Sequence, residues 1–454
     1  MNKVVQALPL TLALLLAGCG STTTGTTDTT AGTVTLMATA SDDTGVSSVK
    51  FYRGSTLLST DSEAPYTYAD SLSSSGTYTY TAVASDAAGN STTSGAVSVT
   101  ATVGGSSGGN GGGISTGNTA AVVTAANAFL ATLSTTQQAS VVLDRTQANA
   151  IKWSNLPCGS SCRNGIQLST LSSTQLAAAL AVVKAATGTS ANEGYDEEMQ
   201  IRAADDVLAA AGSTGGGPGG GGYSSGTYFL AFLGTPSTTG TWQLQFGGHH
   251  LALNLTFGAG TVTGTTPMFE GVEPKCWSVT GTTTTANGCT TPGTSGSTIT
   301  YAPLYREQAG MAAMLAGLSS TQLATAKLSS TFSDVLLGPS QDGKFPSTKV
   351  GLAIGGLSTA QKALVLAAMK PWVQDTDDTT AAALLKIYES ELDSTYISYS
   401  GNASLSNNAD YVRIDGPSVW IEFVCQNGVV YSSQIHYHSV WRDHTRDYGA
   451  SYTF

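Results

Sequence analysis

Residues 241–257 read TWQLQFGGHHLALNLTF, a stretch in which apolar and polar side chains alternate on both sides of a glycine pair. Alternation with a period of two is typical of strands that bury one face, and two glycines between such strands favour a two-residue hairpin turn. With Gly247-Gly248 as the turn, Phe246 pairs with His249. This register predicts His249 on the apolar face of the hairpin and His250 on the polar face.

A second hairpin is predicted within residues 411–439, where Asn427-Gly428 is a strong signal for a two-residue turn. This turn places His436 and His438 on one face of the sheet and Glu422 on the other. We therefore do not expect Glu422 to act as a ligand together with the two histidines.

Helix starts are marked by a recurring pattern. The sequence Leu-Ser-x-x-Gln occurs four times, beginning at Leu133, Leu171, Leu318 and Leu357. It predicts a capping box, in which the Ser side chain accepts from the amide three residues on and the Gln side chain reaches back to the Ser amide. The spacing is irregular, which excludes a solenoid. Because helices and hairpins do not alternate as βαβ units, residues 119–454 are predicted to form an α+β domain with capped helices and an antiparallel sheet, with a Gly-rich loop (212–222) inside it.

The N-terminal part consists of short alternating segments separated by turn signals, which predicts a small all-β sandwich over residues 32–103. Two stretches within it resemble the bacterial immunoglobulin-like modules attached to secreted enzymes and adhesins. They are SDDTGVSSVKFYRGSTLLSTDSEAPYTY (41–68) and GTYTYTAVASDAAGNSTTSG (76–95). The resemblance implies a spacer or a weak binding module. A Gly/Ser linker follows over residues 104–118, so the chain is predicted to be multidomain.

Composition narrows the class of protein. Charged residues make up 11% of the 454-residue chain, against about a quarter in most soluble globular proteins. Uncharged small residues replace them, which favours an exported chain with flexible spacers. The net charge is −11 and the 19 basic residues form no run, so we expect no nucleic-acid partner, because phosphate binding needs clustered Lys and Arg.

The N-terminus carries the features of an export signal. Lys3 precedes an apolar run from Val4 to Leu16 that is too short to span a bilayer comfortably. The run ends in Leu-Ala-Gly-Cys, which resembles the lipobox of bacterial lipoproteins. The resemblance implies a signal peptide over residues 1–18 and lipid attachment, as with palmitate, at Cys19.

The lipobox resemblance also implies a location. Residues 19–31 would be a Thr-rich tether, and Gly20 is not the aspartate that retains such proteins at the inner membrane. We therefore expect the protein to be anchored in the bacterial cell envelope, at the outer membrane. Its expected partners are the membrane, through the lipid, and an extracytoplasmic small molecule or polymer.

Export permits disulfides, and the remaining cysteines fall into local pairs. Cys158 and Cys162 share one loop, and Cys276 and Cys289 bracket another. Two local disulfides are the simplest interpretation, which leaves Cys425 as a buried thiol. A metal half-site at the Cys158 pair is the alternative.

The five histidines form two clusters, at residues 249–250 and 436–444. Histidines spaced as His-x-His on one strand point to the same side, and a third histidine from a neighbouring strand completes a typical zinc-ligand set. His250, His436 and His438 are the candidate ligands of a divalent metal such as zinc. A metal-free polar site and a purely structural role for the histidines remain open.

Charged residues beside the second cluster are the candidate catalytic groups. Asp443 or His444 would serve as the base or as a hydrogen-bond partner of a ligand. Arg442 with Asp443 would bind a carboxylate substrate or form a buried ion pair, and both interpretations stay open.

Several separated motifs carry a second resemblance. They are GGHHLALN (247–254), TPMFEGVEP (266–274), YVRIDGP (411–417), IEF (421–423) and HYHSVWRDHTRDYG (436–449). Together they resemble the family known as domain of unknown function 3500, over residues 119–454. The resemblance implies a shared fold and a shared histidine-containing site, but no activity.

Two functions follow from these observations. The first is a metal-dependent hydrolase, displayed on a lipid anchor and an immunoglobulin-like spacer. The second is a non-catalytic surface protein that uses the same polar pocket for binding or adhesion. No P-loop, dinucleotide fingerprint or Gly-x-Ser-x-Gly sequence adds a third activity.

Overall fold

The computed structural model describes residues 10–15, 27–29, 33–42, 45–64, 66–71, 76–101, 113–212, 222–286 and 291–454. The chain divides into two compact units, Met1–Gly108 and Gly109–Phe454. Cys19 and Cys289 lie outside the described residues, as do residues 104–112 of the predicted linker and 213–221 of the Gly-rich loop.

The first unit is built from strands. They are β1 (Leu10–Leu15), β2 (Thr27–Thr29), β3 (Thr33–Ala40), β4 (Val46–Arg53), β5 (Thr56–Asp61), β6 (Tyr66–Ser71), β7 (Gly76–Asp86), β8 (Ser91–Thr93) and β9 (Val97–Ala101). They form two sheets, ordered β1-β3-β6 and β2-β9-β7-β4-β5, with β8 on β7. Leu36 of one sheet and Phe51 and Tyr80 of the other share one buried core, as expected for a sandwich. Part of the predicted tether, Thr27–Thr29, belongs to β2, because β-branched threonine suits an edge strand.

The second unit contains helices and one large sheet. Its described helices are α1 (Thr119–Ala131), α2 (Thr135–Val141), α3 (Gln147–Ala150), α4 (Ser173–Ala186), α5 (Tyr195–Ala210), α6 (Tyr305–Ala316), α7 (Ser320–Ala326), α8 (Thr359–Gln374) and α9 (Asp378–Ser390). Its described strands are β10 (Val142–Leu143), β11 (Ile166–Gln167), β12 (Phe229–Leu233), β13 (Thr241–Gly248), β14 (Leu251–Gly258), β15 (Thr261–Gly264), β16 (Met268–Val272), β17 (Trp277–Thr280), β18 (Thr283–Thr285), β19 (Gly293–Ser295), β20 (Thr298–Tyr301), β21 (Leu352–Ala353), β22 (Tyr396–Ser400), β23 (Tyr411–Asp415), β24 (Val419–Asn427) and β25 (Ile435–Asp443). The β unit followed by an α+β unit confirms the predicted fold class.

The large sheet runs β10-β12-β13-β14-β16-β25-β24-β23-β22-β21, with β11 on β12 and β15 on β14. Every pair in it is antiparallel except β10 with β12. Its helix face carries side chains such as Trp242, Phe423 and Trp441, which share one core with the helices. The opposite face, here called the loop face, is covered by segments 144–164 and 328–345.

The two halves of this unit repeat one order of elements. Each has a helix, a capped short helix, a short strand, a capped long helix, a further helix and then the strands of one half-sheet. β11 pairs with β12 as β21 pairs with β22, and the central pair β16–β25 joins the halves. The irregular spacing that excluded a solenoid thus reflects two long, similar halves.

All four predicted capping boxes are present, at the N-termini of α2, α4, α7 and α8. The boxes are also joined in pairs within each half. The Gln175 side chain donates to Gln137 at 3.1 Å, and that of Gln361 donates to Gln322 at 2.8 Å. Each box therefore both starts a helix and holds it against its neighbour.

Both predicted hairpin turns are wrong. The first turn is formed by His249-His250, and Gly248 pairs with Leu251. Gly247 and Gly248 lie inside β13, where a Cβ would come within 2.3 Å of the Leu251 carbonyl oxygen or 2.6 Å of the Tyr228 ring. The glycines thus permit close packing within the strand and do not form the turn.

The second hairpin has a longer connection than predicted. Asn427 pairs with Ile435, so residues 428–434 form the loop, and His436 lies opposite Gln426. This register places Glu422 on the same face as His436 and His438, which corrects the predicted opposite placement.

The cysteines are largely as predicted. Cys158 and Cys162 form a disulfide. Cys276 is disulfide-bonded, and its predicted partner Cys289 lies outside the described residues. Cys425 is a free, buried thiol that donates to the Leu405 carbonyl, and burial raises its pKa to about 12. Within the described ranges, no helix is both long enough and apolar enough to cross a membrane.

Candidate metal centre

Three histidines meet on the loop face of the central strands. His250 comes from the β13–β14 turn, and His436 and His438 come from β25. All three are buried, and one ring nitrogen of each lies within 4.8 Å of the other two. The Nε2 atoms of His436 and His438 are 3.3 Å apart. The structure therefore brings together the three residues that the sequence singled out.

The backbone fixes His250 in an unusual conformation. Its φ angle is +62°, in the left-handed region that a histidine in a tight turn can adopt. Its N–H donates to the Asn155 carbonyl at 3.0 Å, and its carbonyl accepts from the Gly271 N–H at 2.7 Å. The turn is thus held to the covering loop on one side and to β16 on the other.

Asp334 orients His438. Its Oδ1 lies 2.9 Å from His438 Nδ1, so the carboxylate accepts the Nδ1 proton and leaves the Nε2 lone pair directed towards His436. Burial favours a higher pKa for Asp334, but the hydrogen bonds that it accepts from His438 and from the Val335 amide outweigh burial and lower the pKa. A carboxylate behind a ligating histidine is the usual second partner in protein metal sites.

A second histidine–carboxylate pair stands beside the three histidines. His249 Nδ1 lies 2.7 Å from Asp205 Oδ1, and the His249 ring stacks on His250 with centroids 3.7 Å apart. Burial raises the pKa of Asp205, against the opposing effect of His249. His249, expected on an apolar face, is therefore a polar group held beside the three histidines.

Glycine is required under the histidines. A Cβ at Gly271 would lie 3.1 Å from Cδ2 of both His250 and His438, and 2.8 Å from the Tyr437 carbonyl oxygen. The two rings thus occupy the space above β16 that a side chain would fill. Gly271 allows the hairpin turn and β25 to approach each other.

The three histidines line a cavity of about 500 Å³. Its other polar walls include Asn155, Tyr223, Glu273 and Asp334. Two apolar lining residues, Leu156 and Val429, are 43% and 65% exposed, so the cavity reaches the surface at these side chains. The site is accessible to a small molecule.

Burial sets the charge state of the cluster. It lowers the pKa of His250 well below the usual value, and the neighbouring histidines lower it further. The same causes lower the pKa of His436 to about 3. Both rings are therefore neutral near pH 7, which is the form that binds a metal ion.

The predicted catalytic residues lie elsewhere. The Arg442 guanidinium is buried between Asp342, at 2.9 Å, and Asp447, at 3.0 Å. Arg442 therefore forms a buried ion pair, as one of the two interpretations expected, but its partners are Asp342 and Asp447 and not Asp443. Asp443 lies on the helix face with its Oδ2 3.2 Å from the Tyr388 hydroxyl. Neither residue lines the cavity: Asp443 faces the helices, and Arg442, although it shares the loop face with the histidines, is held by Asp342 and Asp447 outside the cavity.

His444 is also outside the cavity. Its Nε2 lies 3.2 Å from Asp415, and its ring packs on Phe345. Glu422, although it shares the face of the histidines, accepts hydrogen bonds from the Leu336 and Leu337 amides at 2.8 and 2.9 Å. It anchors the covering loop and does not complete the histidine cluster.

No pattern in the sequence pointed to Asp334 or Asp205. Asp334 lies in an irregular segment, 104 positions before His438. Asp205 lies on α5, 44 positions before His249. Only the folded chain brings these carboxylates to the histidines.

The fold and the site define a two-part protein, in which a β-sandwich precedes a helix-covered sheet with a histidine-lined cavity. The chain belongs to the family described as protein of unknown function (DUF3500), whose model matches residues 115–450. Residues 21–82 match the model of the bacterial Ig domain. These two matches confirm the resemblances to the domain of unknown function 3500 and to the immunoglobulin-like modules, and the lipobox stays a prediction.

One similar solved structure is that of fibronectin(III)-like modules of Clostridium thermocellum CbhA. The match has 29% sequence identity and a TM-score of 0.18, and it covers 21% of this chain and 96% of the chain in that structure. No curated protein matches the chain.

Proposed function

We propose that the protein is a metal-dependent hydrolase whose zinc ion is held by His250, His436 and His438. The 3.3 Å between the Nε2 atoms of His436 and His438 carries this proposal. Two nitrogens bound tetrahedrally to one zinc ion, each at about 2.0–2.1 Å, are separated by about 3.3 Å. The spacing is thus the one that a shared zinc ion requires.

The donor set suits catalysis better than a closed structural site. Three histidines leave one of four zinc positions for water, and zinc lowers the pKa of such a water towards neutrality. Asp334 keeps the Nε2 lone pair of His438 directed at the shared point. The cavity in front of the histidines admits the substrate.

His249 is the proposed proton-transfer group. Asp205 holds its Nδ1, so its Nε2 can accept a proton from water or return one to a leaving group. Stacking on His250 keeps the ring beside the three ligands. This pair takes the role that the sequence had suggested for Asp443 or His444.

The mouth of the cavity indicates the substrate class. Leu156 and Val429 are exposed apolar side chains at the rim, and the buried part of the lining includes the histidines and Asn155. We propose a small ester or amide that places an apolar group on the rim and its scissile bond near the histidines. Burial of that apolar group on binding contributes affinity.

Activity of the zinc-loaded protein tests the hydrolase. We expect hydrolysis of chromogenic esters or amides by wild type, loss in His438→Ala, and retention in the matched control His444→Ala. If wild type and His444→Ala bind zinc and neither hydrolyses the panel, the hydrolase proposal fails. The non-catalytic binding module is then the better description of the pocket.

We also propose attachment to the bacterial cell envelope through a lipid on Cys19. Cleavage before Cys19 would remove β1, which is an edge strand, and leave β3 paired with β6. In a bacterial host, Cys19→Ala should release the protein from the membrane fraction, and mass spectrometry of wild type should find acyl chains on the N-terminal peptide. An unmodified Cys19 in mature protein would contradict the proposal.

A further inference from the structure

A second group of side chains lies on the helix face, behind the histidines. It comprises Glu193 before α5, Glu197 in α5, Glu307 in α6 and Asp375 at the end of α8. All four are buried, and one carboxylate oxygen of each lies within 4.8 Å of the others. Here they are called the carboxylate cluster.

The cluster has more oxygens than hydrogen-bond donors. The Leu304 N–H donates to Glu197 at 2.6 Å, and the Gly194 N–H donates to Asp375 at 2.5 Å. The second oxygens of Glu197 and Asp375 have no partner among the described residues, nor does one oxygen of Glu307. Buried carboxylate oxygens without donors are costly unless a cation or a proton joins them.

Glu270 adds an independent observation. It is fully buried on β16, and neither of its carboxylate oxygens has a partner in the described structure. It lies on the helix face between Met268 and Val272, so it is aimed at the helices that carry the cluster. Its nearest charges include Glu197 and Glu307. A fifth buried carboxylate thus approaches the cluster from the sheet side.

Nearby positive charge is too small to balance these groups. The Arg306 guanidinium lies 2.6 Å from Glu193 Oε1, and Lys370 is the other basic residue that acts on Glu193. Arg306 reaches in from the surface, where 39% of its side chain is exposed. Five buried carboxyl groups therefore face one partly exposed guanidinium and one ammonium group.

We propose that the carboxylate cluster binds one calcium ion, with Glu270 as an additional ligand. Calcium takes six to eight oxygen ligands in flexible arrangements, and carboxylates from four or five residues can supply them. Zinc and copper favour the nitrogen and sulfur ligands that this site lacks. Magnesium keeps several waters, for which a fully buried carboxylate set is poorly suited.

The site is separate from the proposed zinc centre, and neither proposal rests on the other. Glu270 and Gly271 are consecutive in β16 and face opposite sides of the sheet. Calcium would join α5, α6 and α8 to the strand that passes beneath His250 and His438. It would thus stabilise the support of the histidines from behind.

The test is calcium titration of the chelator-treated full chain, followed by calorimetry and thermal unfolding. We expect one calcium ion per chain and a rise in melting temperature. Glu197→Gln keeps an oxygen for the Leu304 amide but removes a charge, so it should fold, unfold at a higher temperature without metal, and bind calcium at least about tenfold more weakly. Glu270→Gln should act in the same direction, and the matched control Glu389→Gln, at an exposed position, should behave as wild type.

Three results would overturn the calcium site. The first is the absence of calcium binding, with a melting temperature that responds to pH alone. The second is equal calcium binding by wild type, Glu197→Gln and Glu270→Gln. The third is stabilisation by magnesium or zinc and not by calcium. His438→Ala should bind calcium as wild type does, which separates this test from that of the zinc centre.

Discussion

His438 is positioned by three independent constraints. Its strand sets the direction of the side chain, Asp334 sets the orientation of the ring, and Gly271 provides the space beside it. A residue that only filled a core would need neither the hydrogen bond to Asp334 nor the space beside Gly271. The combination is what a ligand position requires, because ring orientation decides where the nitrogen lone pair points.

The need for space beneath the rings leads to a prediction. Gly271→Ala should displace His250 and His438, and we expect zinc affinity to fall at least about tenfold. Competition with a chromogenic chelator measures it. Gly356→Ala is the matched control, because a Cβ there meets nothing within 4 Å and should leave zinc affinity unchanged. Equal affinities for both variants would argue that the histidines do not share an ion.

Glu198 permits a test of buried charge by pH. Burial raises its pKa well above the usual value, and both of its oxygens lack partners in the described structure. The folded chain then holds a proton that the unfolded chain has lost, so this residue makes stability fall as pH rises above about 4.5, by up to about 1.4 kcal/mol per pH unit.

Glu198→Gln should remove that slope. Urea unfolding in a chelator at pH 5 and pH 7.5 measures it, and the variant should gain stability relative to wild type as pH rises. The histidines that are neutral in the folded chain make stability rise with pH. They do so equally in wild type and Glu198→Gln, so their contribution cancels in the difference between the two chains. Parallel stability curves for the two chains would contradict the assignment, and Glu389→Gln provides the exposed control.

At the scale of elements, the helix starts were predictable because they rest on local chemistry. A capping box needs only residues three apart, and all four boxes formed as expected. The alternating strands were predictable for the same reason. The turns were not, since the packing of Tyr228 against Gly248 and the loop over residues 428–434 depend on distant parts of the chain.

The caps provide a prediction at this scale. Ser172→Ala removes the acceptor for the Gln175 amide at the start of α4 and should lower the free energy of unfolding by about 1 kcal/mol. Urea unfolding measures the loss. Ser173→Ala, one residue later and also exposed, should change stability by less than half of that. A similar loss in both variants would show that capping is not the cause.

At the scale of the molecule, a charge-poor chain places two groups of buried ionisable side chains on opposite sides of the central strands β16 and β25. Carboxylates lie on the helix face of β16, and histidines lie on the loop face of β16 and β25. The histidine site was found from sequence because two of its members share a strand. The carboxylate cluster was not, because its members come from α5, α6, α8 and the segment before α5.

The central claim is that His250, His436 and His438 bind one zinc ion. Zinc titration of metal-free protein, with calcium present to occupy the carboxylate cluster, measures it most directly. We predict one tightly bound zinc ion per chain in wild type and in His444→Ala, and none in His438→Ala. Equal zinc binding by wild type and His438→Ala, or no stoichiometric zinc in wild type, would contradict the claim.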